Sequence, residues 1–91
     1  MLHIMRHSYA SSEFQACIQQ MDVDSHLVLI EDAVYALVKA DAKLVALSAQ
    51  GRLSVLLDDM QARGLKISSF NAIDYQQFVQ LTVSHTPCLT W

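Results

Sequence analysis

Two short, nearly continuous apolar runs constrain the fold of this chain more than any other feature. They are His26–Ile30 (HLVLI) and Leu53–Leu57 (LSVLL), and neither alternates between apolar and polar residues. Strands of this kind are typical of parallel sheets that are covered on both faces. Between them lie segments with helical periodicity, such as the positions i, i+3, i+4 and i+7 occupied by Phe14, Cys17, Ile18 and Met21.

The order of the remaining elements extends this pattern to the whole chain. Strands are predicted at Leu2–Met5, at the two runs and, more weakly, around 69–73. Helices are predicted from Ser12, over 33–38, over Ala42–Ala49, from Asp58 to Arg63, and after Asp74. Alternating strands and helices predict right-handed crossovers. We therefore expect one α/β domain, residues 1–91, with three layers and a parallel sheet of about four strands.

Helix ends are marked by local signals. Ser12 and Gln15 fit a capping box, and so do Asp74 and Gln77. Ile73 is expected to pack on Phe78 across the second cap. The inward stripe of this last helix is predicted to be Tyr75, Phe78, Val79 and Thr82, and Pro87 ends the helix before a tail, Cys88–Trp91.

Composition excludes several classes of function. Hydrophobic residues make up 53% of the chain and charged residues 16%, which predicts exposed apolar patches and an oligomer. The six basic residues are scattered, so we expect no direct nucleic-acid binding by the isolated chain. Two glycines cannot build a nucleotide loop, no cofactor is expected, and the histidine spacing predicts no metal site.

Two further expectations concern the compartment. The apolar stretches are far shorter than the ~20 residues that span a bilayer, and the first residues lack the apolar core of a signal peptide. A cytoplasmic protein without membrane contact is predicted. Cys17 and Cys88 are therefore expected to be reduced.

Functional residues of parallel α/β sheets lie beyond the carboxyl ends of the strands. That rule points to Arg6-His7-Ser8, Glu31-Asp32 and Asp58-Asp59. The acidic pairs fit an acid/base or cation site, but they equally fit the starts of the following helices, where carboxylates are stabilised.

Cys17 is the candidate for catalysis, as a sulfur carrier, yet it falls on an apolar stripe where a thiol acts as a small hydrophobe. Cys88 follows Pro87 and is expected to be more accessible. Leu81, Leu89 and Trp91 are candidates for a protein interface, since tryptophan is enriched at interface centres. Self-packing explains Leu81 and Leu89 equally well, whereas Trp91 is expected to favour an interface.

Several segments together resemble the TusB/DsrH family over nearly the whole chain. They are Met1–His3 with Ser8, Leu27–Asp32, Ala62–Leu65, and Ile73–Val83 followed by His85 and Trp91. The resemblance implies a small flavodoxin-like fold. It also implies a heterohexamer with TusC-like and TusD-like (or DsrF- and DsrE-like) subunits, two copies of each.

In the Tus branch, this complex passes persulfide sulfur from TusA through TusE toward 2-thiolation of the wobble uridine of tRNA. The resemblance places the relay cysteine on the TusD-like subunit, so the predicted role is a non-catalytic subunit. The tail resembles TusB more closely. However, Cys17 falls near the cysteine of DsrH-type chains, and Ala33 stands where many relatives have glycine.

Two alternatives remain open. In the first, the chain is a DsrH-like sulfurtransferase subunit of dissimilatory sulfur oxidation, with Cys17 carrying persulfide. In the second, it is a homo-oligomeric interaction module without a role in sulfur transfer.

Overall fold

The computed structural model describes residues 1–66 and 68–91, in which five parallel strands form one sheet. The strands are β1 (Leu2–Met5), β2 (His26–Leu29), β3 (Leu53–Leu56), β4 (Ala72–Ile73) and β5 (Cys88–Thr90). Their order in the sheet is β4-β3-β2-β1-β5, and every neighbouring pair is parallel. The α/β class and the parallel sheet are confirmed, with five strands instead of four.

Four α-helices and one 3-10 helix cover the sheet. They are α1 (Ser12–Gln20), the 3-10 helix (Glu31–Leu37), α2 (Ala42–Ala49), α3 (Leu57–Ala62) and α4 (Tyr75–Ser84). The first four pack on one face of the sheet, which we call the covered face, and α4 packs on the other, the α4 face. The flavodoxin-like three-layer architecture is thus confirmed. The strand order of this sheet nevertheless differs from 2-1-3-4-5, the order in flavodoxin itself.

The two faces follow from the alternation of side chains along each strand. On the covered face, strand residues such as Met5, Leu29 and Val55 pack with Phe14 of α1 and Leu44 of α2, and all five are buried. This cluster extends through the 3-10 helix to Met60 of α3. The covered face therefore holds the main hydrophobic core.

The α4 face is packed more sparsely. Leu2, Ile4, Val28 and Ile73 are buried there, and only partly buried residues of α4, Phe78 and Leu81, pack against them. Ile73 and Phe78 share this cluster, as the predicted staple requires. Tyr75 and Val79 were expected to face inward, which was wrong, since their side chains are 63% and 42% exposed. Helical spacing alone fits either a stripe through Tyr75 and Val79 or one through Phe78 and Leu81. The second stripe is the one that contacts the sheet.

Of the two capping boxes predicted from the sequence, the one at α4 is present and the one at α1 is not. The Asp74 carboxylate accepts from the Gln77 backbone N–H at 2.7 Å, and the Gln77 amide oxygen accepts from the Asp74 N–H at 2.9 Å, which confirms this capping box. In α1, the cap is Ser11, whose hydroxyl accepts from the Phe14 N–H at 3.1 Å. The predicted Ser12 box was wrong, because the Gln15 amide instead donates to the Tyr9 carbonyl at 2.7 Å.

The fifth strand arises from the segment predicted to be a tail. Strand β5 pairs with β1, with Leu2 opposite Cys88 and Ile4 opposite Thr90. Three residues carry too little periodicity to reveal a strand, and the pairing partner lies at the other end of the sequence. Over the described residues, no helix is both long and apolar enough to cross a membrane.

Candidate functional site

The carboxyl edge of the sheet brings together the segments that follow β1, β2 and β3. The Arg6 Nε lies 3.9 Å from a carboxylate oxygen of Glu31 and donates to the backbone oxygen of Trp91 at 3.1 Å. The Glu31 backbone N–H donates to the Asp59 carboxylate at 2.6 Å. The three segments are thus in contact, and Trp91 joins them because β5 lies next to β1.

Glu31 adopts an uncommon backbone conformation at this edge. Its φ is +51°, in the left-handed region that non-glycine residues avoid at a cost of about 1–3 kcal/mol. The bond from its N–H to Asp59 helps to hold this conformation. No local pattern in the sequence predicted it, since glutamate has no special preference for positive φ.

The second carboxylate of the pair, Asp32, joins the 3-10 helix to α3. The Arg63 Nε and Nη2 donate to one oxygen of Asp32 at 3.2 and 3.1 Å, and the Arg63 Nη1 donates to the Asp59 carbonyl at 3.2 Å. Among the described residues, no group of three or more His, Cys, Asp or Glu side chains is arranged to hold a metal ion. The carboxylates at this edge therefore act as links between neighbouring elements.

Cys17 lies in the second turn of α1 and belongs to the covered-face core. Its side chain is completely buried, in the cluster that also contains Phe14. Burial raises the pKa of the Cys17 thiol to about 12, because the thiolate would lose its hydration. Cys88 differs, since it is exposed on β5, where its sulfur lies 3.4 Å from the Thr82 carbonyl and 3.3 Å from the His85 carbonyl.

The three candidate interface residues lie in different surroundings. The Trp91 indole N–H donates to the Nδ1 of buried His3 at 3.1 Å, and the two rings stack with centroids 6.2 Å apart. Leu81 lies on the side of α4 that packs against the sheet, whereas the Leu89 side chain is 38% exposed. Trp91 and Leu81 thus have contacts within their own chain.

Comparison with known proteins gives the family. The model of the family described as DsrH like protein matches residues 7–87. Protein TusB of Escherichia fergusonii is 36% identical over 95 residues, and Protein TusB of Klebsiella pneumoniae subsp. pneumoniae is 36% identical over 96. Both alignments cover all of both chains. The chain belongs to the TusB/DsrH family.

This member of the TusB/DsrH family also has a polar cluster beneath α4 that its sequence did not reveal. The His26 Nε2 and the Ser54 hydroxyl are 3.0 Å apart, and the Asn71 amide donates to the same hydroxyl at 3.2 Å. The rings of His26 and His85 are 5.5 Å apart. Burial lowers the pKa of His26, and the charges of His85 and Arg52 lower it further. The four residues come from segments far apart in the sequence, so no local motif marks them.

Proposed function

We propose that this chain is a subunit of a cytoplasmic sulfur-relay complex that serves 2-thiolation of the wobble uridine of tRNA. It assembles with TusC-like and TusD-like chains, two copies of each, in a heterohexamer. Its own role is to complete the complex, and a neighbouring subunit carries the sulfur. The full-length similarity to TusB proteins supports this assignment.

The burial of Cys17 is the observation that carries the non-catalytic role. In persulfide transfer, an acceptor thiolate attacks the outer sulfur of the donor persulfide, the S–S bond breaks, and the donor leaves as a thiolate. The acceptor must therefore be accessible and ionised. The Cys17 thiol has no exposed surface, and a pKa of about 12 keeps it protonated near neutral pH.

The position of Cys17 favours one competing function. It lies in the first helix, and DsrH-type chains resemble this one in carrying a cysteine there. A DsrH-like sulfurtransferase subunit would use it as a persulfide carrier in sulfur oxidation. That role requires α1 to move away from the sheet, so that the thiol leaves its contacts with the covered-face core.

Alkylation with iodoacetamide separates the two functions. The chain is produced together with the TusC-like and TusD-like proteins of the same source, treated near neutral pH with and without denaturant, and analysed by mass spectrometry. We expect Cys88 to be labelled in the native complex and Cys17 only after unfolding. Native labelling of Cys17 at the rate of Cys88 would favour the sulfurtransferase.

A cellular assay tests the pathway itself. Cells whose own copy is replaced by Cys17→Ala should retain 2-thiouridine in their tRNA, and cells without the chain should lose it. Loss of 2-thiouridine in the Cys17→Ala strain with an intact complex would contradict the non-catalytic role. A chain that stays monomeric in the presence of both partner proteins would contradict the proposed complex.

A further inference from the structure

Helix α4 is attached to the sheet by few side chains. It contributes no fully buried residue, and the α4 residues that pack on the sheet are Phe78 and Leu81, which are both partly buried. In the described part of the chain, the side chains of α4 hydrogen-bond only within the helix and to its cap, Asp74. The position of α4 therefore depends mainly on apolar contact.

A pair of histidines lies where α4 ends. His85, which caps the helix, has its ring centroid 5.5 Å from that of His26, the first residue of β2. The His26 Nε2 is 3.0 Å from the Ser54 hydroxyl on β3. The Nδ1 of His85 is buried and has no hydrogen-bond partner among the described residues. A buried polar atom without a partner costs free energy, so this end of α4 opposes the packed position.

The groups that surround His26 offer no compensation for a positive charge on its ring. The pKa of His26 is lowered by burial, by the charge of His85 and by the charge of Arg52, and none of these influences is a carboxylate. The neighbours from other elements are uncharged: Leu2 of β1 pairs with His26, and Asn71 bonds the same serine hydroxyl as His26. A proton on His26 is therefore unfavourable while α4 covers it.

Two further charged groups, the Asp22 carboxylate and the α-amino group of Met1, belong to other interactions. Asp22 accepts from the Ser25 hydroxyl and from the Asp24 N–H. Both charges act on the pKa of His3, which the amino group lowers and Asp22 raises. The electrostatics beneath the end of α4 are thus set by His26, His85 and Arg52.

We propose that α4 is a pH-sensitive lid, which lies on the sheet while His26 and His85 are neutral and opens when His26 is protonated. When α4 is closed, a charged His26 ring would be held away from water beside His85 and Arg52. When α4 opens, the ring regains water and His85 moves away with the helix. The open form therefore binds the proton more tightly, and proton binding shifts the equilibrium toward it.

The sign of this linkage sets the pH range. The pKa of His26 is lowered from 6.5 in the closed form and returns toward that value when α4 opens. The closed form is therefore favoured fully above pH 6.5, and its advantage decreases as the pH falls below that value. One proton changes the ratio of closed to open forms by at most about tenfold per pH unit.

Opening should unfold α4 and leave the covered face intact. The helix has ten residues, and isolated helices shorter than about 12–15 residues are marginal in water. Without the sheet, α4 should therefore lose its backbone hydrogen bonds. Helix α1 packs on the other face through Phe14 and Cys17, so it does not depend on α4. This inference does not depend on the proposed role in sulfur relay.

Hydrogen exchange of the whole chain, followed by NMR from pH 7.5 to 5.0, tests the lid. After correction for the intrinsic exchange rate, amides of α4 should be less protected than those of α1 at every pH. Their protection should also be insensitive to low urea, since a local opening exposes little surface. Between pH 7.5 and 5.0, protection of α4 should fall by more than about threefold, because the open form binds the additional proton.

Three variants assign this pH dependence. His26→Gln should remove most of it, because the amide can still hydrogen-bond Ser54 but does not titrate. His85→Gln should remove only a part, since burial and Arg52 still act on His26. His7→Gln is the matched control and should change nothing, since His7 follows β1 at the opposite end of the strands. Circular dichroism verifies that each variant is folded.

Equal protection of α4 and α1 at every pH would overturn the proposal, because α4 would then open only when the whole chain unfolds. Protection of α4 that is the same at pH 7.5 and 5.0 would also overturn it, as would a pH dependence that His26→Gln leaves intact. If His26→Gln does not fold, His85→Gln decides, since His85 is only half-buried. A loss of α4 protection in that variant as large as in the wild type would then overturn the lid.

Discussion

The helices bury more side chains on the covered face of the sheet than on the α4 face. Three α-helices and the 3-10 helix bury side chains such as Phe14, Leu44 and Met60 on the covered face. On the α4 face, one helix contributes no fully buried residue. Both faces of a parallel sheet need apolar cover, and a chain of 91 residues is short for supplying two full layers. Within this chain, the α4 face is therefore the less completely covered of the two.

The two faces also differ in polarity. In the described residues, the covered-face core is a cluster of hydrophobic side chains. One buried polar side chain lies on the same face, that of His3, which is hydrogen-bonded to Trp91. Beneath α4, His26, Ser54 and Asn71 form a hydrogen-bonded group. We therefore expect packing substitutions to act most strongly on the covered face. Titration should act through His26 on the α4 face and, in part, through His3 on the covered face.

The largest expected difference in stability is between alanine substitutions of two phenylalanines, one on each face. Phe14→Ala should lower the free energy of unfolding by about 3–5 kcal/mol, since Phe14 is fully buried in the covered-face core. Phe78→Ala should cost about half as much, because Phe78 on α4 is only partly buried. Urea unfolding of both variants measures this difference. Equal losses would mean that the two faces contribute alike.

Acid should act through His26 on the α4 face. Its pKa is lowered in the folded state, so the unfolded chain binds more protons once the pH falls below the ordinary value of 6.5. The stability conferred by the neutral ring is present above that pH and is lost as the pH falls through the window below it. One proton changes the unfolding free energy by at most about 1.4 kcal/mol per pH unit.

His26→Gln provides the comparison, since an amide can still bond Ser54 but does not titrate. Unfolding free energies measured from pH 7.5 to 5.0 should fall less steeply for this variant. The pKa of His3 is also lowered, chiefly by burial, so a part of the slope should remain. Identical slopes for the variant and the wild type would show that His26 does not contribute.

The smallest effect on stability is expected at the carboxyl edge of the sheet. Asp32→Asn removes the ion pair with Arg63, but the Asp32 side chain is 71% exposed. Exposed ion pairs contribute about 0–1 kcal/mol, and salt weakens them further. Thermal unfolding at low and high salt should show a small loss that vanishes at high salt. A loss as large as that of Phe14→Ala would indicate that this link organises the carboxyl edge.

Local sequence determined much of the architecture. The apolar runs and helical stripes predicted the α/β class and the parallel sheet, and α2 lies at Ala42–Ala49 as predicted. The Asp74–Gln77 box could be read directly because both of its hydrogen bonds span three residues. The apolar stripe of α1 also predicted a core position for Cys17, a prediction with which its burial agrees.

Only the tertiary structure decided the features that join distant parts of the chain. The pairing of β5 with β1, the bond between Trp91 and His3, and the group around Ser54 each depend on residues far apart in sequence. The inward side of α4 was likewise selected by the sheet beneath it. Periodicity and capping report the free energy of short segments, whereas these contacts form only once the sheet has brought their partners within a few ångströms, so the sequence by itself carries no local sign of them.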